Sequence, residues 1–121
     1  LVLACMRGNL MLTELLIASG ADADKADRDG NTPIHYAAYS GSRFIVKALV
    51  DHGASKNSRN MRGETPLIIA SREGHSDAVR IIIDCGVDIN AADNQQHTAL
   101  YYASERGYIE ITEMLIAAGA E

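Results

Sequence analysis

The residues best equipped for chemistry in this chain are His35, His52, His75 and His97, the cysteines Cys5 and Cys85, and the serines Ser40, Ser71 and Ser104. A zinc site would need His or Cys pairs at spacings such as Cys-x-x-Cys or His-x-x-x-His, and no such pair occurs. A nucleophilic serine would need a strained strand-to-helix turn, whereas these three lie in or beside runs of small residues that read as helix. Glu110 and Glu113 share one helix face. Without an apolar pocket around them, that spacing gives a solvated surface pair rather than a catalytic one. Every glycine recurs as punctuation between segments, so none belongs to a phosphate-cradling loop. The expectation is a protein with no catalytic residues, no metal and no cofactor.

The elements that carry these residues repeat. Gly20, Gly53, Gly86 and Gly119 stand 33 residues apart, as do Gly8, Gly41, Gly74 and Gly107, and Ala4, Ala37, Ala70 and Ala103; Thr32, Thr65 and Thr98 keep the same step. A fixed period of this length signals stacked repeats. The register divides one domain, residues 1–121, into a partial unit (1–26), two whole units (27–59 and 60–92) and a nearly whole one (93–121). In the unit 27–59 the turn Asp29-Gly30-Asn31 is followed by Thr32 as a helix N-cap and Pro33 at the first helical position. Ile34, Tyr36, Ala37 and Ala38 fill a short first helix that Gly41 ends. Phe44, Ile45, Val46, Ala48, Leu49 and Val50 then give the apolar face of a second helix, with Arg43, Lys47 and Asp51 opposite and Gly53 closing it.

Leu1 aligns with Ile34, so the first unit lacks its turn and Thr-Pro start. Its second helix, Leu10 to Ala18, offers Leu12, Leu15, Leu16 and Ile17 for packing. At the other end Met114, Leu115 and Ile116 match interior positions. Solenoids need polar terminal faces, so the chain is expected to be a segment of a longer array or larger protein. The third unit has the densest aliphatic face, Leu67, Ile68, Ile69, Val79, Ile81, Ile82 and Ile83, and is expected to be the stablest.

Asp27 to His35 reads Asp-x-Asp-Gly-x-Thr-Pro-x-His, the pair Ala37-Ala38 follows, and Gly20-Ala21-Asp22 ends a unit. With these motifs and the gapless period, the whole chain resembles the ankyrin repeat family. Asn60 replaces the opening Asp, Ile68 and Tyr101 replace the His, and Val87 replaces an Ala. Gln96 replaces the turn Gly and Ala99 the Pro, which blunts the signal for the fourth turn and helix start. The resemblance implies an all-α solenoid of stacked helix-turn-helix units with short β-turn hairpin loops along one edge. It also implies a hydrogen bond between His35 and the Thr32 hydroxyl that ties neighbouring turns.

In that arrangement the turn tips and first helices form a concave groove. Here the corresponding residues are Arg28, Asp29, Asn31, Met61, Arg62, Glu64, Asn94, Gln95 and His97 on the turns. On the helices they are Met6, Arg7, Tyr39, Ser40, Arg72, Glu73, Glu105 and Arg106, with Arg59 at a junction. The implied function is a non-catalytic adaptor or scaffold module binding a protein or peptide in the groove. The alternative is a regulatory or structural segment of a larger enzyme, channel or scaffold, packed on its own polypeptide. Asn57 and Asn90 match a loop Asn that some members carry hydroxylated, a residue that also stabilises its loop through side-chain bonds to backbone.

Six of the eight arginines fall in the groove set and none of the three lysines does. A planar guanidinium forms bidentate bonds, and arginine and tyrosine anchor interfaces. The expected partner therefore carries acidic side chains or a free carboxylate that meet Arg28, Arg62, Arg72 and Arg106. A net charge of −5 argues against non-specific nucleic-acid binding. The chain has 47% hydrophobic residues but no apolar run of about 18 or more, and no signal-peptide layout, so no membrane insertion is expected. Cys5 lies in a first helix and Cys85 ends a second helix two units later. With helices packed roughly 8–10 Å apart they stand about 20 Å apart, beyond disulfide reach. Free thiols point to the cytoplasm or nucleus, and the chain is expected as a monomer or as part of a longer polypeptide.

Overall fold

In the computed structural model, which describes residues 1–121, eight helices form four pairs. These are α1 (Val2–Met6) with α2 (Leu10–Ala18), α3 (Pro33–Ser40) with α4 (Arg43–Asp51), α5 (Pro66–Arg72) with α6 (Ser76–Asp84), and α7 (Ala99–Arg106) with α8 (Ile109–Ala117). The first helices pack side by side in the order α1, α3, α5, α7, and the second helices form a layer α2, α4, α6, α8 behind them. Extended structure is confined to one isolated antiparallel bridge between Ala92 and Thr98.

The helix starts follow from local chemistry. Thr65 Oγ1 accepts the Ile68 N–H and Thr98 Oγ1 the Tyr101 N–H, each at 3.2 Å, satisfying donors that a helix leaves unpaired in its first turn. Pro33 and Pro66 occupy first helical positions. Ala99 takes that place in α7, and the Thr98 cap alone starts the helix cleanly.

Each complete turn is folded around one side chain. Oδ1 of Asp27, Asn60 and Asp93 accepts two backbone N–H groups apiece, two and four residues on. The second carboxylate oxygen of Asp27 accepts the Tyr36 hydroxyl, and that of Asp93 the Tyr102 hydroxyl. The third unit has Ile69 where the second and fourth have tyrosine. Its turn residue is accordingly Asn60, whose amide donates to Glu64 Oε1 and Asn31 Oδ1, both at 2.9 Å. The departure at Asn60 is thus matched to Ile69 within the same unit.

Gln96 does not blunt the fourth turn. It adopts φ 66°, the one positive φ outside glycine, and the turn closes with Gln96 N–H to Asp93 O at 2.9 Å. At the equivalent Gly30 a Cβ would lie 2.9 Å from the Met61 amide nitrogen of the next turn, and at Gly63 2.8 Å from that of Asn94. Glycine is needed there for space as well as conformation, and no such neighbour lies against Gln96. Left-handed backbone is unfavourable for a residue with a Cβ, so Gln96→Gly is expected to raise stability by about 0.5–1 kcal/mol, read as a higher denaturation midpoint.

Between units the backbone is stitched along both edges. The Met61 N–H donates to Asp29 O at 3.0 Å and the Asn94 N–H to Arg62 O at 2.9 Å. In the loops, side chains 33 residues apart repeat one bond. Asp24 accepts the Ser55 N–H at 2.7 Å, Asn57 the Asp88 N–H at 3.1 Å, and Asn90 the Glu121 N–H at 3.0 Å. Both asparagines therefore bond the following unit's loop as well as occupying their own.

The core runs through the middle of the stack, where Ile34, Val46, Leu49, Leu67, Ile68, Val79, Ile82, Ile111 and Leu115 are buried. Five side chains read as packing residues are less buried than expected. Phe44 is 60% exposed and lies under the Arg43 guanidinium, 4.7 Å from its ring centre. Ile81 and Ile83 are only half-buried. Leu12 and Leu15 face outward, although Ile45, Ala78 and Ile111, the equivalents of Leu12, are buried and Ala48, Ile81 and Met114, the equivalents of Leu15, are half-buried. Helices α4, α6 and α8 each pack on the second helix of the preceding unit, and α2 has no such neighbour.

Candidate functional site

His35 illustrates how little of the groove wall is free to react. Its Nδ1 accepts the Thr32 N–H at 3.0 Å and lies 2.9 Å from the Thr32 hydroxyl, while Nε2 lies 2.9 Å from Glu64 O in the next turn. A backbone donor on Nδ1 requires the proton on Nε2, so the ring is a neutral bridge from one turn to the next. Burial holds its pKa below the usual histidine range, despite the opposing Glu64 carbonyl. The bond to Thr32 expected from the resemblance is present, and the tie between turns runs through Glu64.

The middle of the groove is occupied by an ion-pair cluster. Arg72 pairs with Glu64, and its Nε lies 3.0 Å from Glu73 Oε2. Burial opposes the Arg72 charge, but the carboxylates of Glu73 and Glu64 outweigh it and hold the guanidinium pKa above its usual value. Glu64, expected as an exposed contact, is only 6% exposed. Arg72, expected to meet a partner's carboxylate, is already neutralised from within the chain. Arg59 likewise donates to the Ala92 carbonyl of the next unit, and Asn31 accepts from Asn60. Ser40 Oγ donates to Ala37 O at 3.2 Å and lies 3.2 Å from Ser42 Oγ. These residues shape the groove more than they offer it for binding.

A second group remains open. Met6, Arg7, Arg28, Asp29, Tyr39, Met61, Arg62, Asn94, Gln95, Glu105 and Arg106 are all exposed. Arg7, Arg28, Arg62 and Arg106 make no ion pair, whereas Arg43 and Arg80, outside the groove, are paired with Asp77 and Glu110. His97 is half-buried, stacked on Tyr101 with ring centres 3.8 Å apart and edge-on to Tyr102.

Two hollows lie along this surface. One, of 310 Å³, is lined by Met6, Asn31, His35, Tyr36, Tyr39, Arg62, Glu64, Ile69 and Arg72. The other, of 430 Å³ and more polar, adds Met61, Asp93, Asn94, Gln95 and Tyr102 around the same Arg62, Glu64 and Arg72. In the latter, burial and the Asp93 carboxylate push Tyr102 up to about 12. Burial opposes ionisation of Asp93, yet the Tyr102 hydroxyl and the amides of His97 and Gln95 hold its pKa below the usual value.

Tyr36 and Ile69 are lining residues that sequence reasoning left to helix packing, and Tyr102 is one it did not single out. The signal was available: the series Leu3, Tyr36, Ile69, Tyr102 varies at 33-residue steps as the other groove positions do. His75, far from any ligand role, has its Nε2 2.8 Å from Tyr39 O, and its ring sits where a Cβ on Gly41 would be, 2.6 Å away. No group of three or more His, Cys, Asp or Glu side chains is gathered as a metal site would need, and both cysteines are free thiols. No helix is long and apolar enough to cross a membrane.

A family model for ankyrin repeats (3 copies) matches residues 1–60 and again residues 56–121. No curated protein matches the chain.

Proposed function

Because the chain belongs to the ankyrin repeat family, whose repeats generally serve protein–protein interaction, we propose that it is a non-catalytic module receiving an acidic protein or peptide in its concave groove. The observation that carries this reading is the unequal pairing of its arginines. Arg7, Arg28, Arg62 and Arg106, which the family arrangement assigns to the groove, make no ion pair, while Arg43 and Arg80 elsewhere have carboxylate partners. Unpaired guanidiniums on a concave surface raise the encounter rate with acidic partners and anchor them on docking. A net charge of −5 over the whole chain supports a protein partner rather than nucleic acid. Free thiols at Cys5 and Cys85 support a reducing compartment, cytoplasmic or nuclear.

The pairing also decides how to test the reading. Reversing Arg72 would set three carboxylates together and damage the fold, so Arg72 is unsuitable. Arg28→Glu with Arg62→Glu changes only exposed, unpaired groups. This double variant is expected to keep its helicity and to lose partner recovery in affinity capture from cell extract; undiminished recovery would place the interface elsewhere.

A second reading is that the stack is a regulatory or structural segment packed against further polypeptide. The outward apolar face of α2 favours it, with Met11 83% and Leu15 62% exposed.

A further inference from the structure

Resting on the groove reading above, we propose that the hollow between α1, α3 and α5 is a pocket for one large apolar side chain of an acidic peptide, whose flanking carboxylates meet Arg28 and Arg62.

The polar groups of this hollow are largely satisfied before any ligand arrives. Both ring nitrogens of His35 are engaged, the Tyr36 hydroxyl donates to Asp27, Asn31 accepts from Asn60, and Glu64 and Arg72 are paired. A polar guest would find little to bond. Apolar surface is what remains: Met6 is 51% and Tyr39 58% exposed, at the same position of successive units, over a lining that includes the buried Ile69. Exposed large side chains on a concave surface are where burial by a partner brings most stabilisation. The 310 Å³ volume sits at the lower end of the roughly 300–1,000 Å³ that ligand sites use, which suits one side chain rather than a helix. The unpaired charge at its edge is Arg62, with Arg28 exposed on the preceding turn.

The same positions further along set the register. Met6 and Tyr39 are followed at 33-residue steps by Arg72, which is neutralised, and then by Glu105. Arg7, Arg28 and Arg62 attract an acidic segment over the first three units, whereas in the fourth Glu105 offsets the neighbouring Arg106. Specificity then comes from one apolar anchor beside carboxylates, placed toward the N-terminal end of the groove.

The test is selection of a yeast-displayed random peptide library on the 121-residue chain. Affinities of the enriched clones are then measured for the chain, for Met6→Ser with Tyr39→Ser, and for Arg28→Glu with Arg62→Glu. All four side chains are exposed, so circular dichroism and melting temperature should stay unchanged in both variants. Enriched peptides are expected to carry Leu, Met or Phe flanked by Asp or Glu, and to bind each variant about tenfold or more weakly. Peptides that lose affinity for the arginine variant but keep it for the Met6/Tyr39 variant would overturn the pocket and leave the groove reading standing. Peptides indifferent to both variants would overturn both. Enrichment of sequences without the apolar anchor, or no enrichment, would also overturn the pocket.

Discussion

Ile82→Ala is expected to cost about 2–5 kcal/mol, a large share of the roughly 5–15 kcal/mol that holds a domain of this kind folded. Ile82 is 1% exposed in α6, a helix packed against both α4 and α8. Truncation removes buried methyl groups and leaves a cavity that helices fixed on two sides cannot collapse to fill. In a stack each unit is stabilised by its neighbours, so the loss weakens two interfaces at once. The expected result is a cooperative unfolding transition at clearly lower temperature and denaturant concentration. An unchanged midpoint would remove Ile82 from the core.

The second large effect belongs to His35. His35→Ala leaves the Thr32 N–H buried without its partner, at about 1–3 kcal/mol, and removes one of the two donors to the Glu64 carbonyl, which keeps the Asn60 N–H. A pH series separates this from a simple packing loss. The folded ring resists protonation because burial disfavours its charge, while the unfolded ring takes a proton near its ordinary value of 6.5. The unfolded state therefore binds more protons below that value. The His35 contribution is fully present above pH 6.5 and declines as pH falls below it. In His35→Ala this part of the slope should vanish. A slope identical to that of the parent chain would show that the histidine is not held neutral. Asp27 and Asp93 act at lower pH. The Tyr36 hydroxyl chiefly depresses Asp27, and hydrogen bonds outweigh burial at Asp93, so both lose their contribution only as pH falls below about 3.8.

The period, the helix starts and the turns were legible because they rest on chemistry between near neighbours. Thr65 caps a helix three residues away, and the bounds read for α2, Leu10 to Ala18, coincide with those observed. What the sequence hid depends on which unit lies beside which. Phe44 and Ile45 both read as core, but only the preceding unit decides that Ile45 is covered. Arg72 reads as a groove arginine until the turn brings Glu64, eight residues earlier, against it. The matching of Asp27 with Tyr36, Asp93 with Tyr102 and Asn60 with Ile69 is written in the sequence. It becomes readable once the turn shows that those side chains meet.

The bonds between units have a mechanical consequence. His35 to Glu64, Asp24 to Ser55, Asn57 to Asp88 and His75 to Tyr39 join residues 29, 31, 31 and 36 positions apart, so each link spans one interface. The stack is therefore a set of springs in series: a load at one end passes through every interface, and the softest one sets the bend. A ligand gripping the first three units stiffens two of those springs and leaves the last free to flex.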